Sequence, residues 1–131
     1  EGADHVAIDG FTVTMATSGS VRTNIRSVEN TGAIIRNNTI DGASWWGILT
    51  GNSANVLIEH NTVTNTINEH GIYVGNSADN PVVRNNRVEN SRSAGIQINA
   101  DRDLPGDGII SNAIVENNVL LNNARMQGSS L

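Results

Sequence analysis

Three short stretches hold the side chains best suited to chemistry. "SWWGI" sets both tryptophans of the chain, Trp45 and Trp46, next to each other. "NEHGIYV" carries Glu69, His70 and Tyr73, and "NADRDLPGD" (Asn99 to Asp107) carries Asp101, Asp103 and Asp107 together with Arg102. Aromatic rings offer broad apolar faces that can stack on sugars. Carboxylates can ligate calcium or exchange protons, and a histidine can act as a general base near neutral pH. Each stretch also has an ordinary explanation. The tryptophans could pack a turn, His70 could be a hydrogen-bonded turn residue, and acids around Pro105 and Gly106 are common loop chemistry. The outcome depends on where the chain places the three stretches.

Composition bounds that placement. With 131 residues there is room for one domain and one core. Aromatic residues are only 3%, so the core must be aliphatic. The absence of cysteine excludes a disulfide scaffold and a thiolate metal site. Net charge is -5, and all eight cationic side chains are arginine. No basic patch of the kind a nucleic-acid binder carries is visible. No apolar run approaches the roughly 18–20 residues of a membrane span. The chain opens on Glu1 without a signal peptide and is expected to be a mature product or an excised piece of a secreted or cell-surface protein.

A repeat organises the rest. "NIRSVENTGAIIRNNTI" (Asn24 to Ile40) aligns without a gap on "GILTGNSANVLIEHNTV" (Gly47 to Val63). "GIYVGNSADNPVVRNNRV" (Gly71 to Val88) follows with one inserted residue. A fourth copy starts at "GIQINAD" and resumes at "DGIISNAIVENNVL", while "VAIDGFTV" near the start matches the second half of the unit. Ile25, Ile48, Ile72 and Ile96 recur at intervals of 23, 24 and 24 residues. A period of this size signals a solenoid. Each unit holds three short alternating segments, too short for helices, so three strands per turn stack into a parallel β-helix. Neighbouring turns then lie about 4.8 Å apart, each residue above its counterpart.

These repeats resemble the generic "GIxVxNSxNVxIxxNxV" unit of the right-handed parallel β-helix proteins, the pectate-lyase-like superfamily, over residues 6 to 131. The resemblance implies an all-β, right-handed parallel β-helix of four to five turns with three short strands per turn. It implies one β-helix domain over residues 1–131, expected to be truncated at both ends because neither carries a polar cap. The Gly-Ile strands become the first sheet, the Asn-Val strands the second, and the strands after the marker asparagines the third.

Alternation then assigns faces. Ile48/Thr50, Ile72/Val74 and Ile96/Ile98 are expected inside the first sheet, with Arg26, Leu49, Tyr73 and Gln97 as its outward column. Ile35, Ile58, Val83 and Val115 are expected inside the second sheet, flanked by a column of alternating charge, Asp9, Arg36, Glu59, Arg84 and Glu116. Such alternation locks the register. A further outward column, Ile34, Leu57, Val82 and Ile114, is apolar and suggests a contact surface. Asn38, Asn61, Asn86 and Asn118 fall at the corner between second and third strands, where one residue must turn through a left-handed conformation. Their stacked amides could bond to one another and to the turn backbone. Asn65, Asn90 and Asn122 form a second column, and His60 falls within the Asn37/Asn85/Asn117 column as a structural residue.

In the superfamily the substrate groove runs along the first sheet. The resemblance therefore implies an acidic polysaccharide as ligand, with Trp45, Trp46, Glu69, Tyr73 and Gln97 as contacts in one shared cleft. A lyase or epimerase would need a base, for which His70, Arg102 and Arg26 are the candidates, and Asp101, Asp103 and Asp107 would be the calcium ligands. The family's epimerase motif "DPHE" is absent, "DNPV" (Asp79 to Val82) lacking its histidine. The "NTD", "DD", "GHG" and "RIK" elements of galacturonan hydrolases are absent too, and a lysine base is impossible. The competing expectation is a non-catalytic glycan-binding or spacer scaffold. Self-association is expected through the apolar column or the open ends, with neither nucleic acid nor membrane as partner.

Overall fold

A computed structural model of the protein describes residues 2–15 and 22–125. A segment of one inward side chain between two outward ones, closed by asparagine or glycine, makes a three-residue strand and a corner. The chain repeats this unit throughout. The first coil holds β1 (Ala7–Asp9) and β2 (Thr12–Thr14). The second holds β3 (Thr23–Val28), β4 (Ile34–Arg36) and β5 (Thr39–Asp41). The third holds β6 (Trp46–Ala54), β7 (Leu57–Glu59) and β8 (Thr62–Thr64). The fourth holds β9 (Ile72–Asp79), β10 (Val82–Arg84) and β11 (Arg87–Glu89). The fifth holds β12 (Ile96–Ala100), β13 (Ile110–Ser111), β14 (Ile114–Glu116) and β15 (Val119–Leu121).

All pairings are parallel and all join successive coils. The first sheet runs β3-β6-β9-β12, the second β1-β4-β7-β10-β14 and the third β2-β5-β8-β11-β15. The residue inserted in the fourth coil is absorbed where register shifts between β6 and β9, Gly51 pairing with Gly75 but Ser53 with Ala78. The long insertion of the fifth coil opens at the same level, since β12 pairs with Ile72–Asn76 and β13 with Ala78–Asp79.

The inward set matches the alternation. Ile48, Ile72, Ile35, Ile40, Val63, Val83 and Val88 are fully buried, and Thr50 and Val74 are 1% exposed. Ile96 and Ile98 are only half-buried, and Val115 and Leu120 are 49% and 50% exposed, because among the described residues the fifth coil has a neighbour on one side only. Asp9–Arg36–Glu59–Arg84–Glu116 stand in register, with Arg36 Nε 2.8 Å from Asp9 and Arg84 Nε 2.9 Å from Glu59. Ala7, Ile34, Leu57, Val82 and Ile114 form the outward apolar column, the middle three half-buried.

The corners divide the work between two sets of residues. The left-handed residues recur every five positions: Gly32, Asn37 and Gly42; Asn55, His60 and Asn65; Asn80, Asn85 and Asn90; Asn112, Asn117 and Asn122, with φ between 51° and 71°. The bend between second and third sheets is thus made by the residue before each marker asparagine. Asparagine and glycine occupy all of these positions but that of His60, because they tolerate the conformation with least strain. Asn38, Asn61, Asn86 and Asn118 instead point inward as a ladder. Asn61 Nδ2 donates to Ile35 O (2.9 Å) and Asn86 Oδ1 (3.0 Å), and its Oδ1 accepts from the Asn38 amide N–H (3.0 Å) and Asn38 Nδ2 (2.9 Å). Every polar valence of this 1%-exposed side chain is met.

The corner that feeds the first sheet demands close approach. A Cβ on Gly71 would lie 2.8 Å from Gly95 O and collide with the Val88 side chain, and Gly47 is confined in the same way by Gly71 O and Val63. The Gly-Ile phrase of each repeat thus marks a place where two sheets meet with no room for a side chain.

Candidate functional site

The corner ahead of the first sheet carries the aromatic residues. The backbone N–H groups of Trp45 and Trp46 both donate to Arg22 O, at 2.9 and 3.1 Å, tying this turn to the coil before it. The Trp45 and Trp46 rings lie 5.5 Å apart at 47°, and Trp46 stacks on Tyr73 at 5.8 Å and 26°. Tyr73 stacks in turn on His70 at 5.6 Å and 13°. The Arg22 guanidinium sits 5.5 Å from the Trp45 ring centroid. Tyr73 points outward on β9, and the next outward residue is Gly75, where a Cβ would collide with the Tyr73 ring. The Tyr73 hydroxyl accepts from Asn99 Nδ2 at 3.2 Å. Arg22, Trp45, Trp46, Tyr73 and His70 therefore make one continuous row, a distance range that suits both ring stacking and cation–π attraction.

His70 is held rather than presented. Its side chain is 14% exposed, and its Nε2 lies 3.3 Å from Glu69 Oε2. With the ring proton drawn to Nε2 by this carboxylate, the remaining lone pair is on Nδ1, which is buried without a partner. Burial lowers the His70 pKa below its usual value, against the opposing pull of Glu69 and the Ala94 backbone. The ring is thus neutral near pH 7, as a base would need, yet the lone pair that would take a proton is covered. As placed, His70 is a stacking platform.

The acidic loop lies elsewhere. The Asp101 N–H donates to Asn76 O (3.1 Å) and the Gly108 N–H to Ser77 Oγ (2.8 Å), which sets Asp101–Asp107 over the far end of the first-sheet strands. From Tyr73 to Ser77 is roughly 13 Å of extended chain. Only Asn99, at the head of the insertion, reaches Tyr73. The expectation of one shared cleft is corrected accordingly: the aromatic row and the acidic loop occupy opposite ends of the same strands. Nor do Asp101, Asp103 and Asp107 converge. Asp101 accepts from the Asp103 N–H and Asp107 from the Ile109 N–H, each at 2.9 Å, and no metal-holding group of three acids or histidines occurs among the described residues. The loop bends through its own aspartates instead of gathering them around an ion.

Of the remaining candidates, Arg26, Leu49, Tyr73 and Gln97 do share one outward column, Arg26 two strands from Tyr73 and Gln97 one. Arg102 is exposed on the acidic loop, beyond the end of β12, and away from the aromatic row. Two arginines that repeat matching passed over are better placed. Arg92 and Arg125 line a cavity of about 320 Å³ with Asn65, Thr66, Ile67 and Asn90, at the corner between third and first sheets. Neither forms an ion pair among the described residues. The available signal was position: both follow within three residues of the Asn90/Asn122 column, in the same kind of turn as Glu69 and His70.

The chain matches the family model described as a right-handed beta helix region over residues 2–130. No curated protein and no solved structure matches it. The three parallel sheets, the left-handed corners and this match across nearly the whole chain lead to one statement: the protein belongs to the right-handed β-helix family.

Proposed function

We propose that the protein binds acidic polysaccharide at the corner between its third and first sheets, as a carbohydrate-recognition module. The observation that carries this reading is the row Arg22–Trp45–Trp46–Tyr73–His70, a stack of rings spread over successive coils. Because the inner rings stack on one another, the exposed Trp45 at the end of the row is the ring that can meet a sugar, and the edges of Trp46 and Tyr73 extend the apolar surface beside it. The Arg92/Arg125 cavity at the same corner supports an anionic ligand, since unpaired guanidinium groups bind carboxylates through two parallel hydrogen bonds. Such ligands are met outside the cell, in keeping with a secreted or surface protein. Turnover of lyase or epimerase type would route the proton through His70. Its buried Nδ1 favours binding over that chemistry.

Tryptophan emission provides the test. Titration with oligomers of alginate, pectate or a glycosaminoglycan should quench it, with neutral oligosaccharides as comparators. Arg92→Gln with Arg125→Gln should weaken the acidic ligand about tenfold or more, the scale of a lost charge-assisted contact. Unchanged emission with every acidic oligomer at millimolar concentration refutes the reading. Growth of absorbance from unsaturated sugar ends, abolished by His70→Gln, would instead establish lyase turnover.

A further inference from the structure

At the opposite corner, where the first sheet passes into the second, the structure holds a larger cavity of about 490 Å³ that the proposed glycan site does not use. Four carboxylates line it: Asp4, Glu29, Asp79 and Asp107. No arginine lines it, and none of the four forms an ion pair among the described residues. Asp4 Oδ1 accepts from the Thr31 N–H, Asp79 Oδ1 from Ser111 Oγ and Asp107 Oδ1 from the Ile109 N–H, which fixes these carboxylates and leaves their second oxygens open. They come from different coils, so the negative charge is spread along the solenoid axis rather than focused on a point. The same spread explains why no metal-holding group forms here among the described residues.

A second observation points to a ligand that donates hydrogen bonds. Asn30 lines the cavity at 6% exposure, and its Oδ1 has no partner, while its Nδ2 is spent on Ser27 Oγ at 2.8 Å. Asn52 also lines it with a buried, unpartnered Oδ1, turned toward Gly106 across the cavity. Buried acceptors without donors are costly, and a native structure retains few of them. Every unmet polar group named here is an acceptor or an anion. Ala54 and Ala78 are the apolar residues of the lining.

We propose that this cavity binds a linear polyammonium ligand, its N–H groups meeting the carboxylates and the Asn30 and Asn52 oxygens and its methylenes crossing the alanines. Adjacent coils repeat about every 4.8 Å, close to the separation of amines joined by three methylenes. Calorimetric titration of the protein with spermine at low salt tests this, alongside calcium chloride and a monoamine. Spermine should bind with one-to-one stoichiometry, and Glu29→Gln with Asp79→Asn should weaken it at least tenfold while the melting temperature holds. Asp101→Asn with Asp103→Asn removes the same charge from the exposed loop outside the cavity and should leave the affinity within about twofold. Equal loss in both double variants would show diffuse charge attraction and overturn the site. So would absence of spermine heat, or calcium binding that the Glu29/Asp79 variant abolishes while spermine binding persists. The glycan site stands or falls separately, because Arg92 and Arg125 are not touched by these changes.

Discussion

Asn61→Ala is the most direct test of how this solenoid holds itself together. The side chain is 1% exposed and makes four hydrogen bonds, three to the coil before and one to the coil after. Truncation leaves the buried Asn38 N–H without its acceptor, at about 1–3 kcal/mol. Asn38 Nδ2 keeps its bond to Ile8 O, and Asn86 Oδ1 keeps the Asn61 N–H, so these groups lose only one bond each. The three bonds lost to Asn38 Nδ2, Ile35 O and Asn86 Oδ1 add about 0.5–1.5 kcal/mol apiece. The expected total is about 2.5–7.5 kcal/mol, a large part of the roughly 5–15 kcal/mol that holds a typical domain. Urea unfolding followed by far-ultraviolet circular dichroism should show the midpoint fall accordingly. Asn61→Asp is the companion variant: it keeps the oxygen acceptors, loses the Nδ2 donors and buries a charge, so it should be at least as damaging at pH 7. A loss below about 1 kcal/mol for both variants would refute the reasoning, because it would mean that the ladder's bonds are replaced by water at no cost.

Two further outcomes follow from single residues. The folded protein holds the His70 pKa below its ordinary 6.5, so the unfolded chain binds more protons in the window just beneath that value. Stability from this group is complete above pH 6.5 and is lost as pH falls through the lowered folded pKa; melting curves from pH 7.5 to 5 should show this fall, and His70→Gln should flatten it. A His70→Gln variant with the same pH slope as the parent would place the titration elsewhere. Leu57 sits at the centre of the outward apolar column, so association at high micromolar concentration should appear in light scattering and be reversed by Leu57→Asp. A parent chain that stays monomeric under these conditions would show the half-buried column is too narrow to pair.

Much of this molecule was legible as text because a solenoid writes its contacts at a recurring interval, lengthened only where a coil carries an insertion. Residues stacked in space recur 23 to 32 positions apart, as the ladder bonds from Asn38 to Asn61 and from Asn86 to Asn118 show. Alternation over three-residue strands is enough to sort Ile35, Ile58 and Val83 from Ile34, Leu57 and Val82, since a one-residue slip would expose the whole buried set. The charge column was equally readable, because opposite signs on adjacent strands need no information beyond the register. The left-handed column was harder. Asn37 and Asn38 are chemically identical, and only backbone geometry decides which one bends and which one bonds inward.

The site was the least legible part, and the reason is directional. Sequence order says which coil a residue belongs to but not which end of a first-sheet strand an insertion folds over. Asp101–Asp107 follows β12 in the chain, yet it opens at the bulge opposite Asn76 and Ser77, away from the tryptophans, because β13 resumes pairing with Ala78 and Asp79. Arg92 and Arg125 are 33 residues apart and look like unrelated turn residues until stacking sets them around one cavity. The orphaned oxygens of Asn30 and Asn52 have no sequence signature at all, since satisfaction of a hydrogen bond is a property of neighbours. The sequence by itself determined the coils, their faces and their register through local alternation and period. Only the tertiary structure decided which chemical groups meet, because that depends on how the corners aim their loops.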